Sequence, residues 1–274
     1  LASTYPFPIT IRGDKSLEKR PMKRVSKYLE NIGAKIYFKN KKNTLPANIC
    51  GTNWPLAQKH EITEPSAQIK TAIILSALNT PGITKIRAVP SRDHTERLFK
   101  FLNIPIKIRR EKKLDIIKIR GENQYNGFDY KIPGDISSSA FFIVLTLLSK
   151  NSKIIIKNVN VNKSRTGIID ILKKMNANIR LTNKKMYNGE DLADIFVKSG
   201  KSLKSINCAK EMNSRAIDEF LLIFLVCAKA KGISYFKNIG ELRHKECDRL
   251  KFASNFLKMI GIKVKETSNS LKIY

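Results

Sequence analysis

Three segments of the chain are apolar almost without interruption, and each opens on polar residues: SAQIKTAIILSAL from Ser66, ISSSAFFIVLTLL from Ile136 and IDEFLLIFLVCAKA from Ile217. Each is too long for an ordinary strand, and the pattern predicts buried helices. Strand-like runs follow them, ITKIRAV, KIIIKNV and ISYFKNI. A second helix then opens near Arg97, Arg165 or Arg249, and another strand follows a Gly or Asn. The polar starts at Gln68, Ser137 and Asp218 each precede their arginine by about 30 residues, an interval that marks an internal repeat.

The remaining pattern fits the same plan. YPFPITIRG reads as an extended segment, and residues 15–38 look like the second half of a unit. There Val25, Leu29 and Ile32 share a helix face, Gly33 stops the helix, and Pro21 is placed in the first turn. Arg20 would lie beside that helix start, where oxyanions bind. Pro81-Gly82 ends the helix that begins with Ser66 and Gln68, and Ser91 is the expected cap of the next one. KLDIIKIRG completes a hairpin-like pair, residues 178–198 form a polar strand pair, and KVKETSNSLKIY closes the chain as another. Pro133-Gly134 marks a junction, so two domains are expected, 1–131 and 132–274, with Ser137, Ser138 and Ser139 capping the first helix of the second. Helices this apolar should be buried on nearly all sides, inside a ring of units with the sheets outside. A cleft between the two domains would then collect the helix starts.

Composition narrows the function. With 42% hydrophobic residues among 274, the chain can build a real core. No apolar run approaches the roughly 20 residues of a membrane span, and no signal-peptide pattern is present; neither a membrane partner nor export is expected. The start at Leu1 rather than Met suggests an absent upstream part. Cys50, Cys208, Cys227 and Cys247 lack metal-ligand spacing, Cys227 reads as a small buried hydrophobe, and a reducing cytoplasm fits. His60, His94 and His244 are scattered, so no metal site is expected. The net charge of +29 would attract any polyanion. The lysines are spread along the whole length, however, and aromatics do not alternate with them as a stacking platform requires. A small anionic substrate is therefore favoured over nucleic acid.

The densest candidate chemistry lies between Asp218 and Arg249. Asp218 and Glu219 stand at a helix start, where unpaired N–H groups and the positive end of the dipole favour acids. In ELRHKECDRL a second helix would put Lys245 and Arg249 on one face, with Glu246 and Asp248 beside it. Salt bridging on a surface is the bland alternative; anion binding or catalysis is favoured by the nearness of segments too apolar to be surface helices.

GDKSLEKRPM, EPSAQIKTAIILSAL, SRDHTERL, PGDISSSAFF, AIDEF and ELRHKECDRL occur in one order along the chain. Together they resemble the EPSP synthase (3-phosphoshikimate 1-carboxyvinyltransferase) family over essentially all of it. The resemblance implies an α/β (α+β) fold, a two-domain inside-out α/β barrel of repeated βαβαββ units. It implies transfer of the enolpyruvyl group of phosphoenolpyruvate to the 5-hydroxyl of shikimate 3-phosphate, with release of phosphate, no cofactor and no metal, by a cytoplasmic monomer. Matched by motif, Arg20 contacts phosphoenolpyruvate, and Ser66, Ala67, Gln68 and Arg92 hold shikimate 3-phosphate, Gln68 touching both. Asp218 meets the shikimate ring hydroxyls and moves protons, Lys245 reaches shikimate 3-phosphate, Glu246 is the second acid/base, and Arg249 clamps phosphoenolpyruvate.

Departures from the family pattern shape one further expectation. Its PGxKSxxxR, GNxGTxxR and DHRMAM segments and its C-terminal lysine are not found, and Cys247 replaces the usual Ser or Thr. The chain is accordingly expected to be an internal fragment lacking both ends, with about two of three units in each domain and negligible turnover on its own. Two alternatives stand beside this reading: the related transferase that acts on UDP-N-acetylglucosamine, and a basic repeat scaffold that binds nucleic acid.

Overall fold

The computed structural model describes residues 1–121 and 125–274 and divides into two units, Leu1–Asp129 and Tyr130–Tyr274. In the first, β1 (Pro8–Ile11), α1 (Lys23–Glu30), β2 (Lys35–Phe38) and β3 (Ala47–Cys50) precede β4 (Lys59–Ile62), α2 (Ala67–Ala77), β5 (Ile83–Ala88), α3 (His94–Phe101), β6 (Ile106–Glu111) and β7 (Leu114–Arg120). The second runs α4 (Ile136–Leu148), β8 (Lys153–Asn160), α5 (Gly167–Lys174), β9 (Asn178–Tyr187), β10 (Glu190–Lys198), β11 (Asn207–Cys208), α6 (Phe220–Lys229), β12 (Ser234–Lys237), α7 (Arg249–Met259), β13 (Val264–Glu266) and β14 (Ser270–Ile273).

The repeat is visible in the strand order. β4-β5-β7-β6 and β11-β12-β14-β13 are the same arrangement, a parallel first pair bridged by an apolar helix and then an antiparallel hairpin. In the α4 unit the first strand shrinks to a single parallel bridge, Gly134 with Val159, beside the sheet β8-β10-β9. The leading block, β1-β3-β2 with α1, has the layout of a second half. β-α-β repetition therefore holds, whereas the expected closed barrel does not. Among the described residues the four sheets have three or four strands each and stay open. Curling a sheet onto itself takes about eight tilted strands.

The sheets bury one face by simple alternation. β5 reads exposed-buried along its six residues, so Thr84, Ile86 and Ala88 face the core while Ile83, Lys85 and Arg87 face out. In the second unit Phe220 and Phe224 of α6 close on Phe236 of β12, with ring centroids 5.7 and 4.9 Å away. Burial of the apolar helices is less complete than their composition suggests. On α4, Ile136, Ala140, Ile143 and Val144 are buried, but Phe141, Phe142 and Leu145 are more than half exposed. A helix flanked on one side only hides one stripe, however apolar the other is.

Several helix starts differ from the expected caps. Pro21 precedes Met22, the residue before α1, and so lies outside the first turn. α3 begins after Asp93 rather than Ser91. α4 is capped by Asp135, whose carboxylate accepts from the backbone N–H of Ser138 at 2.8 Å; the three serines sit inside the first turn instead of ahead of it. Ser66, expected inside the first turn of α2, instead precedes the helix as its cap, accepting from the N–H of Ile69 at 3.3 Å.

α2 and α3 are tied at their opening turns by a buried ion pair. Lys70 Nζ lies 2.6 Å from Glu96 Oε1, with side chains 1% and 4% exposed, and the Thr71 and Thr95 hydroxyls meet at 2.7 Å beside it. Burial pushes the Glu96 carboxyl above its ordinary range, further than the Lys70 ammonium pulls it down. Lys70→Met alone should cost about 3–5 kcal/mol in urea unfolding, whereas Lys70→Met with Glu96→Leu should return to within about 2 kcal/mol of the parent, since only the single change leaves a buried charge unpaired. An equal loss in both would contradict the pairing.

Asp135 gives a pH-dependent counterpart. Burial alone would raise its carboxyl, but the Ser138 N–H, the Arg165 guanidinium and the Ser138 hydroxyl hold it below the ordinary value of 3.8. Its contribution is therefore present above that value and lost as the pH falls through the lower folded one. Asp135→Ala should cost about 1 kcal/mol at neutral pH, with the gap between the two proteins narrowing in acid. A gap that is constant across the acid limb would rule this out.

Candidate active site

The starts of α6 and α7 bring three of the expected residues together. Arg249, first residue of α7, donates from Nη1 to Asp218 Oδ1 at 3.3 Å and from Nη2 and Nε to Glu246 Oε2 at 2.6 and 3.1 Å. Its side chain is 19% exposed, which strengthens both contacts over those of a fully solvated pair. Two carboxylates thus share one guanidinium, and the fork geometry of arginine makes that sharing directional. Lys245 is set apart. Gly240–His244 form a tight 3-10 turn and α7 begins only at Arg249, so Lys245 and Arg249 do not share a helix face as expected. Its ammonium instead lies 3.7 Å from Glu241.

A second cluster joins the start of α4 to that of α6, and sequence reasoning did not find it. Arg165 donates from Nη2 to Asp135 Oδ1 at 2.9 Å and to Ser137 Oγ at 2.6 Å. Ser137 in turn donates to the buried carboxylate of Glu219. Arg165 Nε is shielded from solvent with no hydrogen-bond partner. Glu219 is the immediate neighbour of Asp218, so carboxylate, guanidinium and hydroxyl groups line the starts of all three helices. Gly167 allows this approach: a Cβ there would lie 2.7 Å from the Arg215 carbonyl carbon, just before the Ala216–Glu219 turn. The one signal in the sequence was the repeat itself, which set Ser137 and Arg165 at the positions that Asp218 and Arg249 occupy in their own unit.

In the first unit Ser66 Oγ accepts from Arg24 Nη2 at 2.8 Å while capping α2. Arg24, which no motif marks, is the second residue of α1 and lies four residues after Arg20. Ala67 and Gln68 form the first turn of α2, Gln68 with its side chain exposed. Arg20 ends the short 3-10 turn Leu17–Lys19 and is half-buried, as is Arg92 ahead of α3. Arg24 Nε and Ser91 Oγ are both buried without a hydrogen-bond partner. Unsatisfied donors of this kind beside a helix start suit an anionic oxygen.

The arrangement supports anion binding and proton transfer. Among the described residues no three His, Cys, Asp or Glu side chains group as metal ligands, and no helix is long and apolar enough to cross a membrane. His60 is 2% exposed and packs edge-on against Tyr28 at 6.0 Å, a core position. All four cysteines are free, and burial pushes the Cys208 and Cys227 thiols up to about 11 and about 12. Those two thiols are inert packing groups.

Comparison with known proteins adds the family. The EPSP synthase (3-phosphoshikimate 1-carboxyvinyltransferase) family model matches residues 1–274. The 3-phosphoshikimate 1-carboxyvinyltransferase of Petrotoga mobilis is 39% identical over 99% of this chain and 62% of its own length; that of Zymomonas mobilis is 36% identical over 100% and 60%. The solved structure of EPSP synthase from Acinetobacter baumannii superposes with a TM-score of 0.83 at 34% identity, covering 99% of this chain and 60% of that one. The enolpyruvyl transferase NikO from Streptomyces tendae, TM-score 0.64 at 12% identity, shares the fold. The chain thus spans about 60% of the length of the relatives it matches. These alignments correct the expectation of an internal fragment in one respect: they run over 99–100% of the chain, so no stretch of it departs from the family. With the match extending along its whole length, the chain belongs to the EPSP synthase family.

Proposed function

We propose that the protein transfers the enolpyruvyl group of phosphoenolpyruvate to the 5-hydroxyl of shikimate 3-phosphate and releases phosphate. The observation that carries the proposal is the Asp218–Arg249–Glu246 bridge at the starts of α6 and α7. Proton donors and acceptors held against a cation are what the reaction needs. The 5-hydroxyl oxygen bonds to the central carbon of the enol as the methylene carbon takes a proton. The resulting tetrahedral adduct then expels phosphate and gives up a methyl proton to restore the double bond. In this reading Asp218 takes the hydroxyl proton, and Glu246 exchanges protons with the methylene carbon. Arg249 moves from its carboxylate partners onto phosphoenolpyruvate, so that positive charge stays close while anions are bound.

The other roles are proposed on motif and chemistry together. Ser66, Ala67, Gln68 and Arg92 hold shikimate 3-phosphate in the first domain, 1–131, where the α2 start and the shielded Arg24 and Ser91 atoms favour an oxyanion. Arg20 serves phosphoenolpyruvate and Gln68 touches both substrates. Lys245 leaves Glu241 for shikimate 3-phosphate, and 132–274 supplies the acid/base groups. The free cysteines fit a reducing cytoplasm, and a monomer is the proposed working form.

Phosphate release that requires both substrates is the expected result, with shikimate 3-phosphate and not UDP-N-acetylglucosamine as acceptor. Asp218→Asn and Glu246→Gln should each lower kcat by about 10²–10⁴, with a smaller effect on KM. Turnover with the nucleotide sugar, or an unchanged kcat in both variants, would exclude the assignment.

A further inference from the structure

The outer face of the sheet β4-β5-β7-β6 carries a row of four lysines. Lys59 pairs with Lys85, Lys85 with Lys118, and Lys118 with Lys107, each directly opposite the next on adjacent strands. All four are exposed. With neighbouring strands about 4.8 Å apart, the row crosses the sheet in about 14 Å. Like charges directly opposite one another destabilise a sheet. Elsewhere among the described residues such rows stop at two, Lys153 with Lys198, Lys265 with Lys272 and the bridged Lys204 with Lys231. A scatter of lysines over the surface accounts for pairs of that kind; four in register are a further step. Arg87 and Arg109 lie one position along on the same face, and its acids among the described residues are Glu61, 3.7 Å from Arg87, and Glu111.

The row runs into a groove of about 700 Å³. Lys107 and Lys118 line it together with Lys100, while Ile83, Pro105 and Ile116 provide apolar surface. That volume and mixed lining belong to the range of small-ligand sites. Lys107, Arg109, Ile116 and Lys118 place the groove on the outer face of the sheet, away from the buried Ile86, Ile117 and Ile119, and it reaches Ile104 and Ile106 at the start of β6. None of the residues proposed for the active site lines it.

We propose that this groove binds a small oligophosphate with a ring-bearing body, of the nucleoside di- or triphosphate class, the phosphates on the lysine row and the ring against Ile83, Pro105 and Ile116. The inference does not rest on the proposed catalytic activity. Charge complementarity selects an oligophosphate, and a groove of about 700 Å³ fits a small ligand.

Calorimetric titration of the full chain with adenosine triphosphate tests it. One saturable site is expected, weakened by salt, and insensitive to saturating shikimate 3-phosphate. Lys118→Glu should weaken binding at least tenfold, whereas Lys198→Glu, the same charge change on the other unit, should leave it within twofold. The unliganded Lys118→Glu protein should melt at or above the parent temperature, because its carboxylate would stand between Lys85 and Lys107; lost binding then cannot reflect misfolding. Unaltered affinity in Lys118→Glu, displacement of the nucleotide by shikimate 3-phosphate, or binding of single-stranded oligonucleotide or anionic phosphatidylglycerol vesicles in place of the nucleotide would each overturn the proposal.

Discussion

An apolar helix can bury its flank, but it cannot hide the N–H groups of its first turn without giving them partners. That constraint organises each unit. α2, α4 and α6 drive burial through Ile69, Ile73, Ile143, Ile223 and Phe224, and each then presents a polar start. Ser66 and Asp135 satisfy two of those starts from the position just before the helix. The third is set among carboxylates and Arg249. The residues proposed for chemistry occupy the same places as the residues that make the helices begin.

The energetics of the second unit follow from that overlap. Glu219 is 1% exposed, and such a carboxylate is costly to bury unless it is hydrogen-bonded; the Ser137 hydroxyl meets it, and Arg165 holds Ser137. Asp218, one residue earlier, is left to Arg249. The adjacent acids thus enter two networks, Glu219 through Ser137 and Asp218 through Arg249, which Glu246 also binds. The shared contact is the one a bound anion can replace with the smaller loss, since Asp218 and Glu246 retain access to solvent.

Much of this was legible in the chain, and the parts that were not have physical causes. The repeated interval, the apolar helices and the polar start at Ser66 are local features, set by periodicity and side-chain type. The Asp218–Arg249 and Glu246–Arg249 contacts were legible through the family motifs that place those residues together. Ser137–Glu219, separated by 82 residues, depends on the packing of α4 against α6, which no local pattern encodes. Lys70 looks like an interruption in an apolar run; its burial becomes intelligible only once Glu96 is seen across from it. The barrel expectation failed for a similar reason, because the order of strands and helices specifies which strands pair but not whether a sheet closes. The lysine row was hidden because β4, β5, β6 and β7 must be laid in register before Lys59, Lys85, Lys118 and Lys107 line up.

Backbone amide resonances of the chain, followed during titration with shikimate 3-phosphate, test most directly whether the helix starts are its chemically active ends. The largest shifts should fall on the first turn of α2 at Ala67, Gln68 and Ile69, on the residues just before α3, and around Asp218 and Arg249. Shifts confined to helix C-terminal turns or to the outer faces of the sheets would contradict the account.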